Sequence, residues 1–333
     1  MKKEKLKVAV IGVGNMGKHH VRCYSNIRDV ELVAISDINE EIGNSVAARY
    51  NCRYYKNYYD MLKKEDIDAV SIAVPTKLHK KIALDVIKFK KHVLIEKPIS
   101  STVKEARRII DKTELAGVKL MVGHIERFNP AIQELKKIIK KNVLGEIISI
   151  IGKRVGMFPP QIKDANVVID LAVHDIDVFN FLLEKQPIEV FSKVRPALTN
   201  NREDSAEIFI SYGKTSCFIQ VNWITPIKIR TLSVTGSKGY AELNYITQKL
   251  ELYQSKYTKK VDNFGEFVIK FGEPLKKEIK IKKEEPLMLE LKSFIECIKE
   301  NTNPPVTGED GLKALLIAEK AISSSKLNKV IKI

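Results

Sequence analysis

The sequence is poor in cysteine and has no long hydrophobic run. Only four of its 333 residues are cysteine, and Cys23, Cys52, Cys217 and Cys297 share no spacing typical of metal ligands. We therefore expect reduced, partly buried thiols and no metal site. No apolar run approaches the length needed to span a bilayer, about 20 residues, so we expect no membrane partner. Residues 1–5 lead directly into a predicted strand, so we expect no signal peptide and a cytoplasmic protein.

Charge is abundant, and it is uneven in sign. Lysine and arginine number 57 against 41 aspartate and glutamate residues, a formal net charge of +16. The basic residues are spread along the chain without an aromatic-interleaved basic element, so we expect no nucleic-acid partner, although charge alone keeps that alternative open. A positive field around a cleft would attract an anionic small substrate. Solvated lysines with no role in binding explain the charge equally well.

A glycine-rich stretch near the N-terminus organises the chain. A β-branched apolar run that starts at Lys7 stops at Gly12, and helical spacing resumes after Gly17. The glycines have the G-x-G-x-x-G spacing that opens a dinucleotide-binding unit, with a sharp turn, room for a pyrophosphate and close packing of helix on strand. The free N–H groups at the start of the helix would face the phosphates. The residues expected to contact the cofactor here are Gly12, Gly14, Asn15, Met16 and Gly17.

An acidic residue follows the second predicted strand, twenty positions after Gly17. Asp37 comes directly after the run Val30 to Ser36 and is placed to accept hydrogen bonds from an adenosine ribose. Its carboxylate would repel a 2′-phosphate, and no Arg or Lys follows it immediately, so NAD is favoured over NADP. An acidic helix cap is the alternative interpretation of Asp37.

Strands alternate with helices as far as residue 123, and the pattern then changes. The alternation predicts an α/β fold with a Rossmann-type doubly wound parallel sheet over residues 1–123, the NAD-binding domain. From about residue 188 to 283, alternating strands follow one another with hairpin turns such as the one at Gly213. We expect residues 124–333 to form an α+β substrate-binding domain with a large, mainly antiparallel open sheet of about six strands. A partner subunit would cover the free face of that sheet.

Two predicted strands of the first domain end in residues suited to ligand binding. The segments 74–76 and 96–98 lie at the carboxyl ends of parallel strands, the edge where open α/β sheets bind ligands. Lys97, on a short turn fixed by Pro98, is placed to donate to a hydroxyl or alkoxide, and an ordinary surface lysine is the alternative. His79 opens a helix near this edge and is placed to touch the nicotinamide ribose. The cofactor contacts expected here are Val74, Pro75, Thr76, His79, Glu96 and Lys97.

An acid and a histidine lie four residues apart in a helix predicted over residues 167–183. This spacing puts Asp170 and His174 on one helix face among apolar neighbours. The histidine can exchange a proton near neutral pH, and the carboxylate can orient its ring. A helix cap beside a structural histidine is one alternative, and a metal pair is another. A catalytic metal normally needs a third protein ligand, and the sequence suggests none.

Together these motifs resemble those of the glucose–fructose oxidoreductase / inositol dehydrogenase / MocA (Gfo/Idh/MocA) oxidoreductase family. The resemblance rests on the glycine loop, the Glu96-Lys97-Pro98 turn and the D-x-x-x-H of Asp170 to His174, and it covers essentially the whole chain. It implies a Rossmann domain followed by a sheet domain that mediates homodimers or homotetramers. It also implies that Lys97, Asp170 and His174 are catalytic.

Two further segments resemble a narrower group in that family. Residues 123–130 and 222–226 are similar to those of WlbA-like and UDP-N-acetylglucosamine 3-dehydrogenase members, which oxidise the 3-hydroxyl of a UDP-linked sugar. The implied substrate is UDP-N-acetylglucosamine or its uronic acid. Inositol or a free aldose is the alternative substrate, and a non-catalytic NAD-binding regulator is the alternative from another class.

The substrate contacts expected from this resemblance include three arginines, because a diphosphate favours arginine partners. Ordinary structural ion pairs are the alternative role for these arginines. The expected substrate-binding residues are Lys97, Arg127, Asn129, Arg154, Asp170, His174 and Arg230.

Overall fold

The structure is a computed structural model that describes residues 5–157, 165–198, 202–255, 257–261 and 267–333. The chain divides into two compact units, Met1–Phe128 with Glu284–Leu316, and Asn129–Lys283 with Ile317–Ile333. The assignment of NAD binding to residues 1–123 and of substrate binding to residues 124–333 stays a prediction. Among the described residues, no helix is both long enough and apolar enough to cross a membrane.

The α-helices of the described chain follow the predicted pattern of amphipathic segments. In chain order they are α1 (Gly17–Ser25), α2 (Glu40–Tyr50), α3 (Tyr58–Lys64), α4 (His79–Lys88), α5 (Val103–Ala116), α6 (Pro130–Lys140), α7 (Val173–Leu183), α8 (Pro286–Lys299) and α9 (Gly308–Leu327). Asn39 caps α2, because its side chain accepts a hydrogen bond from the Ile42 N–H at 3.0 Å. Short 3₁₀ turns cover Thr76–Leu78 and Ile125–Phe128.

The first unit is built on a six-stranded parallel sheet. Its strands are β1 (Leu6–Ile11), β2 (Val30–Ser36), β3 (Arg53–Tyr55), β4 (Ala69–Ile72), β5 (His92–Glu96) and β6 (Leu120–Gly123). The order across the sheet is β3-β2-β1-β4-β5-β6, with every neighbouring pair parallel. Strand order reverses at β1 and β4, the switch point whose carboxyl edge binds ligands in such sheets. The predicted doubly wound parallel sheet is confirmed.

The second unit contains a mixed, nine-stranded sheet. The strands of this part of the chain are β7 (Ile147–Met157), β8 (Glu189–Arg195), β9 (Ser205–Tyr212), β10 (Thr215–Asn222), β11 (Ile224–Gly236), β12 (Gly239–Asn244), β13 (Lys249–Gln254), β14 (Tyr257–Val261), β15 (Phe267–Phe271), β16 (Leu275–Glu278) and β17 (Ile331–Lys332). The order across the sheet is β16-β13-β12-β11-β7-β10-β9-β8-β17, and β14 and β15 form a separate hairpin.

This second sheet agrees with the sheet predicted for the α+β domain, but it has nine strands where about six are predicted. The hairpin between β9 and β10 lies where the turn at Gly213 predicts it, and a second hairpin joins β11 and β12. The central pair, β7 with β10, is parallel, which the run of hairpin signals did not indicate. Burial alternates along β9 and β10, so one face of the sheet is covered and the other is more open.

An apolar row crosses the open face of the second sheet. Phe191, Phe209, Phe218 and Ile151 are successive cross-strand neighbours on β8, β9, β10 and β7. The rings of Phe209 and Phe218 are 5.2 Å apart, and Phe218 and Ile151 remain 43% and 47% exposed. We call these four residues the aromatic row.

Candidate functional site

The glycine loop after β1 has the shape that a dinucleotide requires. Gly12 has a φ of +84°, and a Cβ there would lie 2.6 Å from the Ala73 carbonyl oxygen. A Cβ at Gly17 would lie 1.7 Å from the Gly12 carbonyl oxygen, so helix α1 begins directly against the loop. A Cβ at Gly14 would meet nothing within 4 Å, which leaves open space over the loop for a pyrophosphate. The loop therefore fits NAD, with Asn15 and Met16 inside the same turn.

Asp37 lies beside this loop. One oxygen of its carboxylate accepts a hydrogen bond from the Val13 N–H at 2.8 Å, and the other accepts from the Asn39 N–H at 2.9 Å. The Tyr54 hydroxyl donates to the Asp37 carbonyl at 2.9 Å and steadies the end of β2. A half-buried carboxylate beside the glycine loop is suited to the ribose hydroxyls of a dinucleotide.

The end of β4 meets the glycine loop, and His79 links it to the turn after β5. Val74 contacts the loop closely enough that its side chain would lie 2.7 Å from a Cβ on Gly12. The ring of His79, which is 1% exposed, lies 2.8 Å from the Pro98 carbonyl and 2.9 Å from the Val74 carbonyl. Burial lowers the pKa of His79, and a neutral ring can donate to only one of these carbonyls at a time. Contact of His79, Pro75 or Thr76 with the cofactor stays a prediction.

The Glu96-Lys97-Pro98 turn carries a buried carboxylate next to a half-buried lysine. The Glu96 carboxylate lies 2.8 Å from His20 Nε2, and its second oxygen accepts from the Lys97 N–H at 3.2 Å. Burial by itself would raise the pKa of Glu96, but the hydrogen bond and charge of His20, with the charge of Lys97, lower it. Glu96 is therefore a buried carboxylate of this unit, and its predicted contact with cofactor is untested.

Asp170 and His174 lie in a helix that is not α-helical throughout. The predicted helix over residues 167–183 is present, but its residues Val168–Ala172 form a π-helical segment and the α-helix α7 begins at Val173. The Asn166 side chain accepts from the N–H groups of Val168 and Ile169 at 3.2 and 3.1 Å and starts this segment. Asp170 and His174 are half-buried, with the Nδ1 atom of His174 buried. Such wide turns occur often at functional sites.

The residue after His174 anchors a buried charge pair. Asp175 accepts a hydrogen bond from Arg154 Nε at 2.8 Å and from the Tyr245 hydroxyl at 3.1 Å. The Arg154 guanidinium also lies 4.3 Å from the centre of the Tyr245 ring. Asp175 is fully buried, and Arg154 and Tyr245 are 3% and 5% exposed. This cluster ties the first turn of α7 to β7.

The other predicted substrate contacts also have partners within their own units. Arg127 is 6% exposed and forms an ion pair with Asp310 at 3.2 Å. Asn129 caps α6 by accepting from the Ala131 N–H at 3.1 Å, and Arg230 donates to the Val155 carbonyl at 2.6 Å. A purely structural role of these residues, the alternative to substrate binding, therefore explains these contacts without a ligand. Binding of substrate by Arg127, Asn129, Arg154 and Arg230 stays a prediction.

Three residues of these clusters were not predicted from the sequence: His20, Asp175 and Tyr245. His20 has a weak signal, since it lies three positions after Gly17 and thus on the same side of α1. Asp175 and Tyr245 have none, because their contact joins distant parts of the chain. No group of three or more His, Cys, Asp or Glu side chains suited to a metal ion occurs within the described ranges.

Comparison with known proteins agrees with the geometry. The family model described as the oxidoreductase family, NAD-binding Rossmann fold, matches residues 6–124. The model of the same family's C-terminal alpha/beta domain matches residues 136–333. The predicted cofactor is thereby confirmed, and the first of these regions is an NAD-binding Rossmann domain.

Similar proteins act on different substrates. Myo-inositol 2-dehydrogenase of Thermotoga maritima is 25% identical over 342 residues, covering 98% of each chain. UDP-N-acetylglucosamine 3-dehydrogenase of Acidithiobacillus ferrooxidans is 28% identical over 249 residues, covering 74% of this chain and 77% of that one. A solved structure of the latter enzyme covers 97% of this chain and 98% of its own, with 24% identity and a TM-score of 0.85, which shows a shared fold. The chain belongs to the Gfo/Idh/MocA family of oxidoreductases.

Proposed function

We propose that this protein is an NAD-dependent dehydrogenase that oxidises the C3 hydroxyl of a nucleotide sugar to a 3-keto sugar. The proposed substrate is UDP-N-acetylglucosamine or its uronic acid. The observation that carries the proposal of hydroxyl oxidation is the place of Lys97. It follows β5 at the carboxyl edge of the parallel sheet, next to β4, whose own end contacts the glycine loop.

The residues proposed to hold NAD are those of the glycine loop, the ends of β4 and β5, and Asp37. When bound there, NAD⁺ supplies the acceptor for the hydride that leaves C3. The N–H groups at the start of α1 are donors for the pyrophosphate, and Asp37 is an acceptor for the adenosine ribose. All of these residues belong to the first unit.

Three residues are proposed to act on the substrate hydroxyl. Lys97 belongs to the first unit, Asp170 and His174 belong to the second, and we propose that all three act on one substrate molecule. His174 takes the hydroxyl proton at Nε2, because its Nδ1 atom is buried. Lys97 holds the oxygen and stabilises its developing negative charge, and Asp170 orients the imidazole.

The choice of a nucleotide sugar rests on sequence similarity and on charge. UDP-N-acetylglucosamine 3-dehydrogenase is among the similar proteins, and segments 123–130 and 222–226 resemble that group. The net charge of +16 favours an anionic substrate. Inositol is the alternative, because an inositol dehydrogenase matches the chain over more of its length.

We also propose that the aromatic row is covered by a second copy of the chain. Four apolar side chains in register on an open sheet face would be hydrophobic surface in a monomer. Lys193 and Glu207 are cross-strand neighbours at the edge of the row, and charges of both signs beside one apolar surface suit a self-complementary two-fold interface. Phe218→Asp should lower the mass measured by analytical ultracentrifugation, while Leu115→Asp, at an exposed apolar residue of the first unit, should not.

A substrate panel tests the proposed activity. NADH production would be measured with UDP-N-acetylglucosamine, its uronic acid, inositol and free aldoses at equal concentration, with UDP added as a competitor. The proposal expects turnover of a UDP-sugar and inhibition by UDP. Robust turnover of inositol without inhibition by UDP would refute the nucleotide-sugar substrate and leave an NAD-dependent dehydrogenase of another substrate.

A further inference from the structure

The carboxylate of Glu96 is enclosed at the end of β5. Glu96 pairs with Gly123 on the neighbouring strand β6, and a Cβ on Gly123 would lie 3.1 Å from Glu96 Cδ and from Oε2. The absence of a side chain at residue 123 therefore leaves the space in which the carboxylate lies. Glu96 is 8% exposed, so its negative charge is almost wholly removed from water.

A buried carboxylate needs strong hydrogen-bond partners, and both oxygens of Glu96 have one. Oε1 lies 2.8 Å from His20 Nε2, and Oε2 accepts from the Lys97 backbone N–H at 3.2 Å. One carboxylate thus joins the His20 ring on α1 to the main chain of Lys97. The carboxylate therefore contacts the backbone from which the lysine side chain extends.

The His20 ring is arranged for this single contact. It is 0% exposed, and among the described residues its Nδ1 atom is buried without a hydrogen-bond partner. Because the Glu96 carboxylate is an acceptor, Nε2 of His20 carries the proton of this hydrogen bond. The residue after Lys97 is held as well, since the Pro98 carbonyl lies 2.8 Å from His79 Nδ1.

We propose that His20 is a positioning residue for Lys97, acting through the carboxylate of Glu96. The inference rests on the proposed role of Lys97 in hydroxyl oxidation. The ring sets the place and orientation of the carboxylate, and the carboxylate fixes the Lys97 backbone and provides a negative charge beside its ammonium. Loss of the ring leaves Lys97 in the chain but displaces it from the reacting oxygen.

Four variants separate this role from simple packing. His20→Leu keeps an apolar group of similar size and removes the donor. His20→Gln restores an N–H donor near the position of Nε2. Gly123→Ala removes no polar group and presses a methyl group against the Glu96 carboxylate. His92→Leu is the matched control, because His92 is the half-buried first residue of the same strand, β5.

Two readouts are needed. The first is the rate at which the Lys97 amine reacts with an acylating reagent, followed by peptide mass spectrometry relative to other lysines of the same chain. The second is kcat and the KM for NAD in the proposed reaction. We expect His20→Leu and Gly123→Ala to change the Lys97 labelling rate several-fold and to lower kcat by about 10- to 100-fold, with little change in KM for NAD. His20→Gln should recover most of both, and His92→Leu should change neither.

Unchanged Lys97 labelling and kcat in folded His20→Leu would overturn the inference, as would an equal effect of His92→Leu. If His20→Leu does not fold, Gly123→Ala decides by the same two readouts. If the wild-type protein oxidises no sugar in the panel, the proposed function fails, whereas the labelling rates still test the link from His20 to Lys97.

Discussion

The carboxylate of Asp37, at the end of β2, accepts a hydrogen bond from the backbone N–H of Val13 in the glycine loop at 2.8 Å. This contact fixes a negative charge where the ribose of a bound dinucleotide would lie. A 2′-phosphate would be repelled there, and a 2′-hydroxyl would find an acceptor. Cofactor choice should therefore depend on this one carboxylate.

We expect NAD to bind much more tightly than NADP, and Asp37→Ala to narrow the gap. The substitution removes a hydrogen bond and a repulsion worth on the order of 1–3 kcal/mol. Dissociation constants measured by quenching of protein fluorescence would show the change. Asp111→Ala, at an exposed acid of α5, is the control. Equal affinity of the wild-type protein for both cofactors would contradict this role of Asp37.

Lys97→Ala and His174→Ala should each lower kcat by about 10²- to 10⁴-fold, the usual contribution of positioned acid–base and charge-stabilising groups. The affinity for NAD should barely change, because neither side chain is proposed to hold the dinucleotide's phosphates. Lys104→Ala removes an exposed lysine from α5 and should leave kcat as in the wild type. Wild-type turnover in either variant would refute the role assigned to that residue.

We expect the Arg154–Asp175 pair to contribute mainly to the stability of the fold and less to substrate binding. Both side chains are almost fully buried, and removing one partner leaves an uncompensated charge at a cost of about 3–5 kcal/mol. Arg154→Met and Asp175→Asn should each lower the free energy of unfolding in urea, and the double variant should lose less than the sum.

The same two variants also test the predicted role of Arg154 in substrate binding. If Arg154 contacts the substrate diphosphate, Arg154→Met raises KM for the sugar while Asp175→Asn has a much smaller effect on KM. If the double variant lost as much stability as the two single variants together, this would contradict the coupling that the geometry implies.

The ion pair of Arg127 with Asp310 predicts a pH dependence of stability. Burial would raise the pKa of Asp310, but the charge of Arg127 and hydrogen bonds from Thr307 lower it below its ordinary value of 3.8. A carboxyl whose pKa is lower in the folded state stabilises the fold above the unfolded pKa, and this stabilisation is lost as pH falls through the folded pKa.

The measurement is urea unfolding of the wild type and Asp310→Asn at neutral pH and at successively lower pH. The wild type should be more stable at neutral pH, and its advantage should decline below a pH of 3.8, Asp310's ordinary pKa. A difference that is independent of pH would show that the charge of Asp310 does not stabilise the fold.

Much of the first unit follows from its sequence. Buried apolar strands that alternate with amphipathic helices leave few topologies, and the glycine spacing before α1 and the acid after β2 mark the ligand-binding edge. The partners of Glu96 do not follow in the same way. His20 and Glu96 are 76 residues apart, and no periodicity specifies which buried polar groups will pair.

The second unit was predicted less completely for identifiable reasons. Hairpin signals indicate antiparallel neighbours, so they cannot show that β7 and β10 lie side by side in parallel. The π-helical segment Val168–Ala172 differs from an α-helix by one residue in its hydrogen-bond spacing, which hydrophobic periodicity does not resolve. The spacing of Asp170 and His174 could be recognised in the sequence, whereas the kind of helix that carries them could not.

The most direct test of the proposed function follows the hydrogen that leaves the substrate. The enzyme would be supplied with NAD and UDP-N-acetylglucosamine carrying deuterium at C3, and the NADH formed would be analysed by mass spectrometry. Oxidation at C3 transfers the deuterium, so the NADH should gain the mass of one deuterium. NADH formed without the label would show oxidation at another carbon, and absence of NADH both with this sugar and with its uronic acid labelled in the same way would show that neither is the substrate; either result contradicts the proposal.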